Sequence, residues 1–274
     1  MNVLFTSDLD RTLIFSKRRM LANTCYISIE QLDDQTISYM SKTTYNRLVQ
    51  LHAVLDFVPV TTRSLQQYTR LSLFQHDLTP KIAIVANGGV ILRNGKIDEV
   101  WQQHIYKKQS ALPLLYEQVQ EHYSSMFTAP FVRRLYEVDS LFFVLTIEDG
   151  KLPEESLLQF RIDLEQYEWT CYLLGKKLYI LPCFLTKGAA VQYIKSQTSY
   201  DWHVAAGDSM MDLSMLELAD TCFIPQHGEL EQAKEEHGLP VMKETSSNFS
   251  DVFLQQIMEE ISVKDEKGEL NWSI

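Results

Sequence analysis

Short apolar runs that end in polar residues recur along this chain and predict buried strands. The first, NVLFTS at 2–7, ends directly before Asp8, and FVPVTTRS at 57–64 ends its strand at Thr61. Between them, 43–56 carries leucines at helical spacing, so the three segments form a β-α-β unit. Further strands are predicted at 81–89, 202–209 and 221–225. Strands that alternate with helices are typical of an α/β fold with a mostly parallel sheet.

Polar residues follow three of these strands at the point where each strand ends. Asp8, Thr61 and Asp208 each lie at the carboxyl end of a predicted strand. In open α/β sheets, ligands bind beyond the carboxyl ends of the strands. We therefore expect these three side chains to face one site.

The middle of the chain, between Asn87 and Lys187, has a different pattern of predicted strands and helices. Long strands are predicted at 96–105, 131–150 and 169–182, with hairpin turns at Gly150 or Gly175. Helical patterns lie at about 108–124 and 153–166. This α+β insert of about one hundred residues is large enough to form a separate small domain.

A second insertion, 16–42, comes directly after the acidic residues at the first strand end. CYISIE and TISYMS, separated by QLDDQ, alternate well enough for a β-hairpin. One face of this hairpin is expected to hold Cys25, Ile27, Ile29, Ile37 and Tyr39. The hairpin could cover the acidic loop. Alternatively, it is a surface excursion without a role, because connecting segments vary freely.

The composition narrows the classes of function. The chain has 274 residues and a net charge of −11, from 25 Lys and Arg against 36 Asp and Glu. This charge disfavours nucleic acid and anionic membranes as partners. The first residues are acidic where a signal peptide would be basic, and no apolar run approaches the roughly 18 residues of a membrane span. We therefore expect a cytoplasmic protein whose four cysteines are reduced.

The segment Asp8-Leu9-Asp10-Arg11-Thr12 places two carboxylates close together at a strand end. Paired acids can divide the work of catalysis, since one can attack as a nucleophile while the other donates and accepts a proton. Taken alone, the pattern is also compatible with a solvated acidic turn or a helix cap.

The segment Gly207-Asp208-Ser209-Met210-Met211-Asp212 supplies two more carboxylates at another strand end. If a helix begins near Ser209, the two acids share one face and suit a hard cation. Alternatively, Asp208 or Ser209 caps that helix. Thr61, Arg63 and Lys187 complete the set, because hydroxyl and cationic groups can bind phosphoryl oxygens and offset their charge.

Four short motifs occur in a fixed order from Asp8 to Asp212: DLDRTLI, VTTRS, TKGAAV and AAGDSMMD. Together they resemble the motifs of the haloacid dehalogenase (HAD) superfamily of phosphohydrolases. The NGG at 87–89 and the α+β insert resemble the branch that contains Cof-type sugar phosphatases, sucrose-phosphate phosphatase and phosphomannomutase. The resemblance implies a Rossmann-like parallel-sheet core at 1–87 and 185–274. It implies a smaller α+β cap domain at 88–184, which would set the substrate specificity.

The resemblance also assigns roles to residues of this chain. It implies that Asp8 attacks phosphorus and becomes an aspartyl phosphate, while Asp10 protonates the leaving oxygen and then activates water. The residues implied in phosphate binding are Thr61, Thr62, Arg63 and Lys187. Those implied in holding Mg²⁺ are the Asp8 side chain, the Asp10 backbone carbonyl and Asp208, with Asp212 in support.

Three positions depart from the superfamily pattern. Arg11 and Thr62 stand where glycine is usual, and Met211 stands where the branch often has asparagine. The charge of Arg11 could bias the choice of substrate, and Thr62 could tighten the pocket. Met211 calls one supporting hydrogen bond into question.

The expected function is that of a Mg²⁺-dependent phosphatase that acts on a small phosphate monoester, by default a sugar phosphate. A phosphomutase would share every motif, and a non-catalytic regulatory protein could retain the fold. Nucleotides, phospholipid head groups and other phosphorylated metabolites stay open as substrates, and the sequence does not indicate the oligomeric state. Cap cations that could meet a second charged group, or else be solvated, are Arg133, Arg134, Lys176 and Lys177.

Overall fold

The computed structural model describes residues 2–75 and 78–266, so the end of the predicted core, 267–274, lies outside the described residues. The strands are β1 (Val3–Ser7), β2 (Tyr26–Leu32), β3 (Gln35–Ser41), β4 (Asp56–Pro59), β5 (Ile82–Val85), β6 (Val90–Arg93), β7 (Lys96–Ile97), β8 (Val132–Val138), β9 (Phe142–Ile147), β10 (Trp169–Leu174), β11 (Lys177–Pro182), β12 (Trp202–Ala206), β13 (Thr221–Pro225) and β14 (Val241–Met242). The α-helices are α1 (Lys42–His52), α2 (Leu65–Thr69), α3 (Glu99–Gln109), α4 (Tyr116–His122), α5 (Ser124–Phe127), α6 (Glu154–Glu165), α7 (Lys187–Lys195), α8 (Leu213–Leu216), α9 (Lys234–His237) and α10 (Ser246–Glu266). Short 3-10 turns lie at Lys17–Arg19, Ser72–Phe74, Ala86–Gly88, Met210–Asp212 and Glu229–Glu231.

A parallel sheet of strand order β14-β13-β12-β1-β4 forms the larger half of the molecule. A bridge between Val60 and Ile84 extends its β4 edge toward β5. Every residue of β1 and β12 is buried, as expected for strands covered on both faces. The prediction of an α/β fold built on a parallel sheet is confirmed.

Alternate residues of β1 enter two different apolar layers. Phe5 packs with Phe57 and with Phe253 of α10 on one face of the sheet. Leu4 belongs to a second cluster with Val58 and with Val191 of α7 on the other face. This two-sided burial follows from the alternation of side chains along a strand. The sheet is therefore held between two helical layers, and the loops that follow its parallel strands lie together at one edge of the sheet.

A second, antiparallel sheet of order β10-β11-β9-β8 forms the smaller α+β part. One of its faces is covered by α4 and α6, with Phe143, Trp169 and Phe160 in the shared core. The division at residues 88 and 184 stays a prediction. β5 and β6 pair antiparallel across the first of these positions.

Three details of the predicted insert are wrong. The stretch 96–105 is not a long strand, because Asp98 accepts a hydrogen bond from Trp101 N at 3.0 Å and thereby starts α3. The predicted helix 108–124 is interrupted near Pro113, which cannot continue α3. The first hairpin turns at Asp139 and Ser140, both with positive φ, rather than at Gly150.

The predicted turn at Gly175 and the helix at 153–166 are both present, as the β10–β11 turn and α6. The predicted hairpin at 16–42 is also present, as β2 and β3. The expected face is only partly the buried one: Ile29 is buried, but irregular pairing around Glu30 shifts the register. Glu30 and Ser38 are buried, whereas Cys25 and Ile37 are exposed.

Two sequence-based expectations concern the chain as a whole. The four cysteines are free thiols, with Cys171 buried and Cys25 and Cys183 exposed. Among the residues that the structure describes, no helix has the length and apolar character needed to cross a membrane.

Candidate active site

The loops after β1 and β12 bring two carboxylates side by side. The backbone N–H of Asp8 donates to the carbonyl of Ala206 at 2.9 Å, which continues the β1–β12 ladder to the edge of the sheet. Asp8 and Asp208 are both buried at this edge. Gly207 is required between the strand and Asp208, because a Cβ there would lie 2.5 Å from the Cβ of Asp212.

Lys187 joins the two acidic motifs. Its ammonium donates to Asp8 Oδ1 at 2.6 Å and to Asp212 Oδ1 at 2.5 Å, and its side chain is 1% exposed. Burial alone would lower the pKa of this amine, but the charges of Asp212 and Asp8 outweigh burial and raise it. Lys187 opens α7, where the Thr186 side chain accepts from Ala189 N and fixes the start of the helix.

A cluster of three buried carboxylates forms the base of the site. Oxygens of Asp8, Asp208 and Asp212 lie within 4.8 Å of one another. Burial raises the pKa of Asp8 to about 7, helped by the charges of Asp212 and Asp10. Burial and the charge of Asp8 raise the pKa of Asp208 well above its usual value. Negative charge is therefore in excess here, which is the condition that a bound cation would relieve.

Arg11 is the second cation at this cluster in the described part of the chain. Its Nε lies 3.1 Å from Asp208 Oδ2, and its Nη2 donates to the carbonyl of His227 at 2.7 Å. Asp208 Oδ2 is nevertheless buried without a hydrogen-bond partner. The ion pair is therefore poorly aligned, and this oxygen keeps lone pairs for another ligand.

Asp212 plays a structural part as well. Its Oδ2 accepts from Asp208 N, Ser209 N and Ser209 Oγ at 2.9 to 3.0 Å, while its Oδ1 is bound to Lys187. Of the two capping alternatives, the structure has Ser209 as the N-cap residue of the 3-10 turn, with Asp212 accepting from its backbone N–H, and not Asp208. Met211, where a supporting hydrogen bond was in question, is buried in the apolar layer around α7 and α8.

Asp10 lies beside this cluster and is held by Arg63. The guanidinium donates from Nε to Asp10 Oδ2 at 2.7 Å and from Nη2 to Oδ1 at 2.8 Å. Burial acts to raise the pKa of Asp10, but the charge and hydrogen bonds of Arg63 outweigh it and lower that pKa. The Asp10 side chain is still 49% exposed, so it remains accessible to solvent.

The phosphate-binding candidates on the loop after β4 lie next to Arg63. Thr61 is fully buried, and its Oγ1 accepts from Arg63 N at 3.2 Å, whereas Thr62 is half-buried. The Arg63 side chain is committed to Asp10 and to Glu30. The structure therefore joins Asp8, Lys187, Asp208 and Asp212 directly, and joins Asp10, Arg63 and Thr61 in a second group.

The smaller sheet approaches the site through β11. The charge of Lys177 helps to lower the pKa of Asp10. Burial raises the pKa of Tyr179, and the charges of Asp10 and Asp8 add to that rise. Lys176 lies 3.6 Å from Asp149, and Arg133 pairs with Glu148. Of the four cap cations considered from the sequence, Lys177 is thus the one whose charge acts on the site groups described above.

Sequence reasoning missed three residues that support Asp10 through Arg63: Glu30, Ser38 and Arg70. The available signal was the charged Glu30 within the alternating CYISIE segment. A regular alternation places that residue on the solvent face, so the pattern pointed away from its role.

Comparison with protein families identifies a match over most of the chain. The sequence profile of the sucrose-6F-phosphate phosphohydrolase family matches residues 1–224. Among curated proteins, none matches the chain significantly by sequence.

Solved structures with the same fold cover nearly the whole chain. The sucrose-phosphatase of Synechocystis sp., solved with sucrose and phosphate, has a TM-score of 0.64 at 13% identity and covers 96% of this chain and 98% of its own. A HAD subclass IIB sugar phosphatase gives 0.58 at 14% identity, covering 96% and 100%. A trehalose-6-phosphate phosphatase related protein gives 0.56 at 16% identity, covering 96% and 99%. These similarities establish the fold: a Rossmann-like core with a smaller cap.

Proposed function

Because this chain belongs to the sucrose-6F-phosphate phosphohydrolase family of HAD phosphatases and is a phosphoric monoester hydrolase, we propose that it hydrolyses a sugar phosphate through a covalent aspartyl phosphate on Asp8, with Mg²⁺ as cofactor. The observation that carries this proposal is the contact of Lys187 with Asp8 inside a cluster of three buried carboxylates. A buried lysine beside a strand-end aspartate can hold the carboxylate in position to attack. Its positive charge also offsets the negative charge of the phosphoryl group that the aspartate attacks.

The first step forms the bond between an Asp8 carboxylate oxygen and phosphorus, while the bond from phosphorus to the sugar oxygen breaks. Asp10 gives its proton to the departing oxygen, so the sugar leaves as an alcohol. In the second step a water attacks phosphorus, its proton returns to Asp10, and the bond to Asp8 breaks. Inorganic phosphate is released, and both carboxyl groups regain their starting forms.

Asp10 must carry a proton at the start of this sequence, although Arg63 holds it ionised in the substrate-free site. A bound phosphate dianion places like charge next to the carboxylate and raises its pKa. The half-exposed position of Asp10 leaves it open to a bound substrate. Substrate binding and protonation of Asp10 are therefore coupled in this proposal.

The phosphoryl oxygens would be bound by the Lys187 ammonium and by the loop after β4, through Thr61 and the backbone of Thr62. Thr61 is already oriented by its hydrogen bond from Arg63 N. The Arg63 guanidinium would reach phosphate only by releasing part of its contact with Asp10 or Glu30. Phosphate binding by the Arg63 side chain stays a prediction. Its contacts better support a role in holding Asp10.

The donor set fits a hard divalent cation. Asp208 Oδ2 is buried without a hydrogen-bond partner, and burial raises the pKa of both Asp8 and Asp208. Asp8, Asp208 and the Asp10 backbone carbonyl would hold Mg²⁺, while Asp212, whose oxygens already accept hydrogen bonds, would orient Asp208 and Lys187. When bound there, Mg²⁺ would neutralise negative charge on the carboxylates and on the phosphoryl oxygens.

The division of labour between domains follows from this placement. The proposed core, 1–87 and 185–274, holds every reacting group, and the proposed cap, 88–184, contributes Lys177 and Tyr179 on β11. An ammonium and a phenol are polar groups of the kind that recognise hydroxyl-rich ligands. A sugar phosphate is therefore the preferred substrate class, with sucrose-6F-phosphate as the first candidate.

The decisive experiment measures phosphate release from a panel of sucrose-6F-phosphate, glucose 6-phosphate, trehalose 6-phosphate, AMP and p-nitrophenyl phosphate, with Mg²⁺ or with EDTA. We expect Mg²⁺-dependent release, and a loss of at least about 10³-fold in Asp8→Asn. Asp56→Asn, the same change at the opposite end of the sheet beside Lys81, should retain activity. Release that persists in Asp8→Asn would reject the covalent route, and release unaffected by EDTA would reject the metal.

A further inference from the structure

A carboxylate on the β2–β3 hairpin is buried next to the proposed active site. Glu30 is 1% exposed, although it lies on an inserted segment at the edge of the core. Its Oε2 accepts from Arg63 Nη1 at 2.7 Å and from Ser38 Oγ at 3.0 Å. Its Oε1 accepts from Arg70 Nε and Nη2 at 3.1 and 3.0 Å. Burying a carboxylate is costly unless its lone pairs are satisfied, and these contacts satisfy them.

Arg63 lies between this carboxylate and Asp10. One edge of its guanidinium, Nε and Nη2, is bidentate to Asp10, while Nη1 is bound to Glu30. Nη2 also approaches Ser38 Oγ at 3.3 Å. Because a guanidinium is planar and its donors are fixed in direction, fixing Nη1 at Glu30 fixes the edge that faces Asp10. The Arg63 side chain is only 12% exposed, so water competes little for these donors.

The group is balanced in charge. Asp10 and Glu30 supply two negative charges, and Arg63 and Arg70 supply two positive charges. Without Glu30, Arg70 would lose its carboxylate partner and Arg63 would be left with Asp10 alone. Arg70, at 31% exposure, could turn toward water, but the more buried Arg63 would lose its second anchor.

The hairpin that carries Glu30 is attached firmly to the core. Ile29 and Met40 are buried in the same apolar layer as Phe5. Ser72 Oγ donates to the carbonyl of Ile29 at 3.0 Å, and Glu30 forms a bridge with Leu71. These contacts fix the position of the Glu30 backbone, so its side chain can serve as a fixed point.

We propose that Glu30 is a positioning residue, which holds the Arg63 guanidinium in the orientation that aligns Asp10 with the leaving oxygen. The inference rests on the proposed function, because it assumes that Asp10 is the proton donor. A merely structural Glu30 would affect the amount of folded protein, but not the selectivity of the folded enzyme between leaving groups.

Leaving groups of different basicity separate these two roles. A sugar alkoxide is strongly basic and needs a proton as it departs, whereas p-nitrophenolate departs without one. The value of kcat/KM reports the steps up to departure of the leaving group. A misaligned Asp10 therefore lowers kcat/KM for a sugar phosphate more than for p-nitrophenyl phosphate.

The test compares Glu30→Gln with wild type on p-nitrophenyl phosphate and on the most active sugar phosphate of the panel. The amide would present N–H groups to arginine donors and lose acceptors for them. We expect kcat/KM for the sugar phosphate to fall about tenfold or more, through kcat rather than KM, with a fall of less than about threefold for p-nitrophenyl phosphate. Glu30→Asp, which keeps the charge, should recover part of the loss.

Ser38→Ala provides a milder variant if Glu30→Gln folds poorly. It removes one hydroxyl that joins Glu30 and Arg63, and the same selective loss should appear at smaller size. Asp98→Asn is the matched control, because Asp98, the N-cap residue of α3, is a mostly buried carboxylate paired with Arg93 at 2.6 Å. It should keep the wild-type ratio of the two kcat/KM values.

Asp10→Asn separates failure of the inference from failure of the proposed function. If Asp10→Asn loses sugar-phosphate hydrolysis selectively and Glu30→Gln and Ser38→Ala do not, the positioning role is rejected while the proposed function stands. If Asp10→Asn itself shows no selectivity between the leaving groups, the acid role of Asp10 is rejected, and the inference falls with it.

Discussion

At the scale of single residues, the site is built from charges whose environments are unequal. Asp8 and Asp208 are buried in an excess of negative charge, which raises their pKa values, whereas Asp10 faces Arg63 and has a lowered pKa. These shifts are the reverse of what the proposed roles need, because a nucleophile acts ionised and a proton donor acts protonated. A bound cation would lower the pKa of Asp8, and a bound phosphate dianion would raise that of Asp10.

We expect Arg11 to lower the affinity of the carboxylate cluster for a cation. Its guanidinium lies 3.1 Å from Asp208, so its positive charge would repel a cation bound at the same carboxylate. Arg11→Gln should therefore bind Mg²⁺ about three- to tenfold more tightly, because one repulsive charge is removed. Calorimetric titration of the substrate-free protein measures this directly. Lys176→Gln makes the same change of charge on an exposed turn, and equal affinities in both variants would refute the local effect.

At the scale of elements, three of the five described strands of the parallel sheet carry different parts of the site on the loops that follow them. β1 leads to Asp8 and Asp10, β4 leads to Thr61, and β12 leads to Asp208. The hairpin β2–β3 adds a support beneath Asp10, and α7 presents Lys187 from its first turn. Rigid elements therefore orient the side chains, and the loops need only span short distances.

The buried His203 of β12 makes the stability of the sheet depend on pH. Its Nδ1 lies 3.0 Å from the carbonyl of Leu218 and 3.3 Å from Lys195 Nζ, and its Nε2 lies 2.9 Å from Thr6 Oγ1. Burial lowers the pKa of His203 to about 4, so the folded state excludes a proton that the unfolded chain binds below about 6.5. The resulting stability is present above pH 6.5 and is lost as the pH falls toward 4.

We expect this histidine to remove about 2 kcal/mol of the free energy of unfolding between pH 7.5 and pH 5. Over that interval the free energy of unfolding of His203→Gln should fall by about 2 kcal/mol less than that of wild type. Urea unfolding in EDTA measures both. His104→Gln changes an exposed histidine of α3 and should keep the wild-type dependence on pH. An unchanged dependence in His203→Gln would contradict the prediction.

At the scale of the whole molecule, the fold places an acidic cluster at the sheet edge of a protein whose net charge is already −11. A phosphate ester approaching this site meets like charge unless cations intervene. Lys187, Arg11 and Arg63 supply part of the compensation, and Lys177 adds to it from the smaller sheet. The proposed divalent cation, held by Asp8 and Asp208, would complete the balance.

Mg²⁺ should therefore stabilise the folded molecule as well as activate it. A ligand that binds only the native state at 100 times its Kd adds about 2.7 kcal/mol to the free energy of unfolding. We expect the Tm to rise with Mg²⁺ concentration in wild type and in Asp56→Asn. In Asp208→Asn the rise should disappear, while its Tm in EDTA should equal or exceed that of wild type, because a buried negative charge beside Asp8 is removed. A full Mg²⁺ shift in Asp208→Asn would exclude this residue as a ligand.

The sequence by itself determined the α/β class and the residues of the acidic cluster, because both depend on local patterns. An apolar run followed by Asp8 places that side chain at a strand end, and Asp208 and Asp212 are near neighbours in the chain. Only the tertiary structure decided the support beneath Asp10. The irregular pairing at Glu30 moves that residue from the solvent face of a hairpin to a buried position against Arg63 and Arg70. No local hydrophobic pattern predicts the burial of Glu30, because a buried charge is tolerated only when oppositely charged partners distant in sequence pair with it.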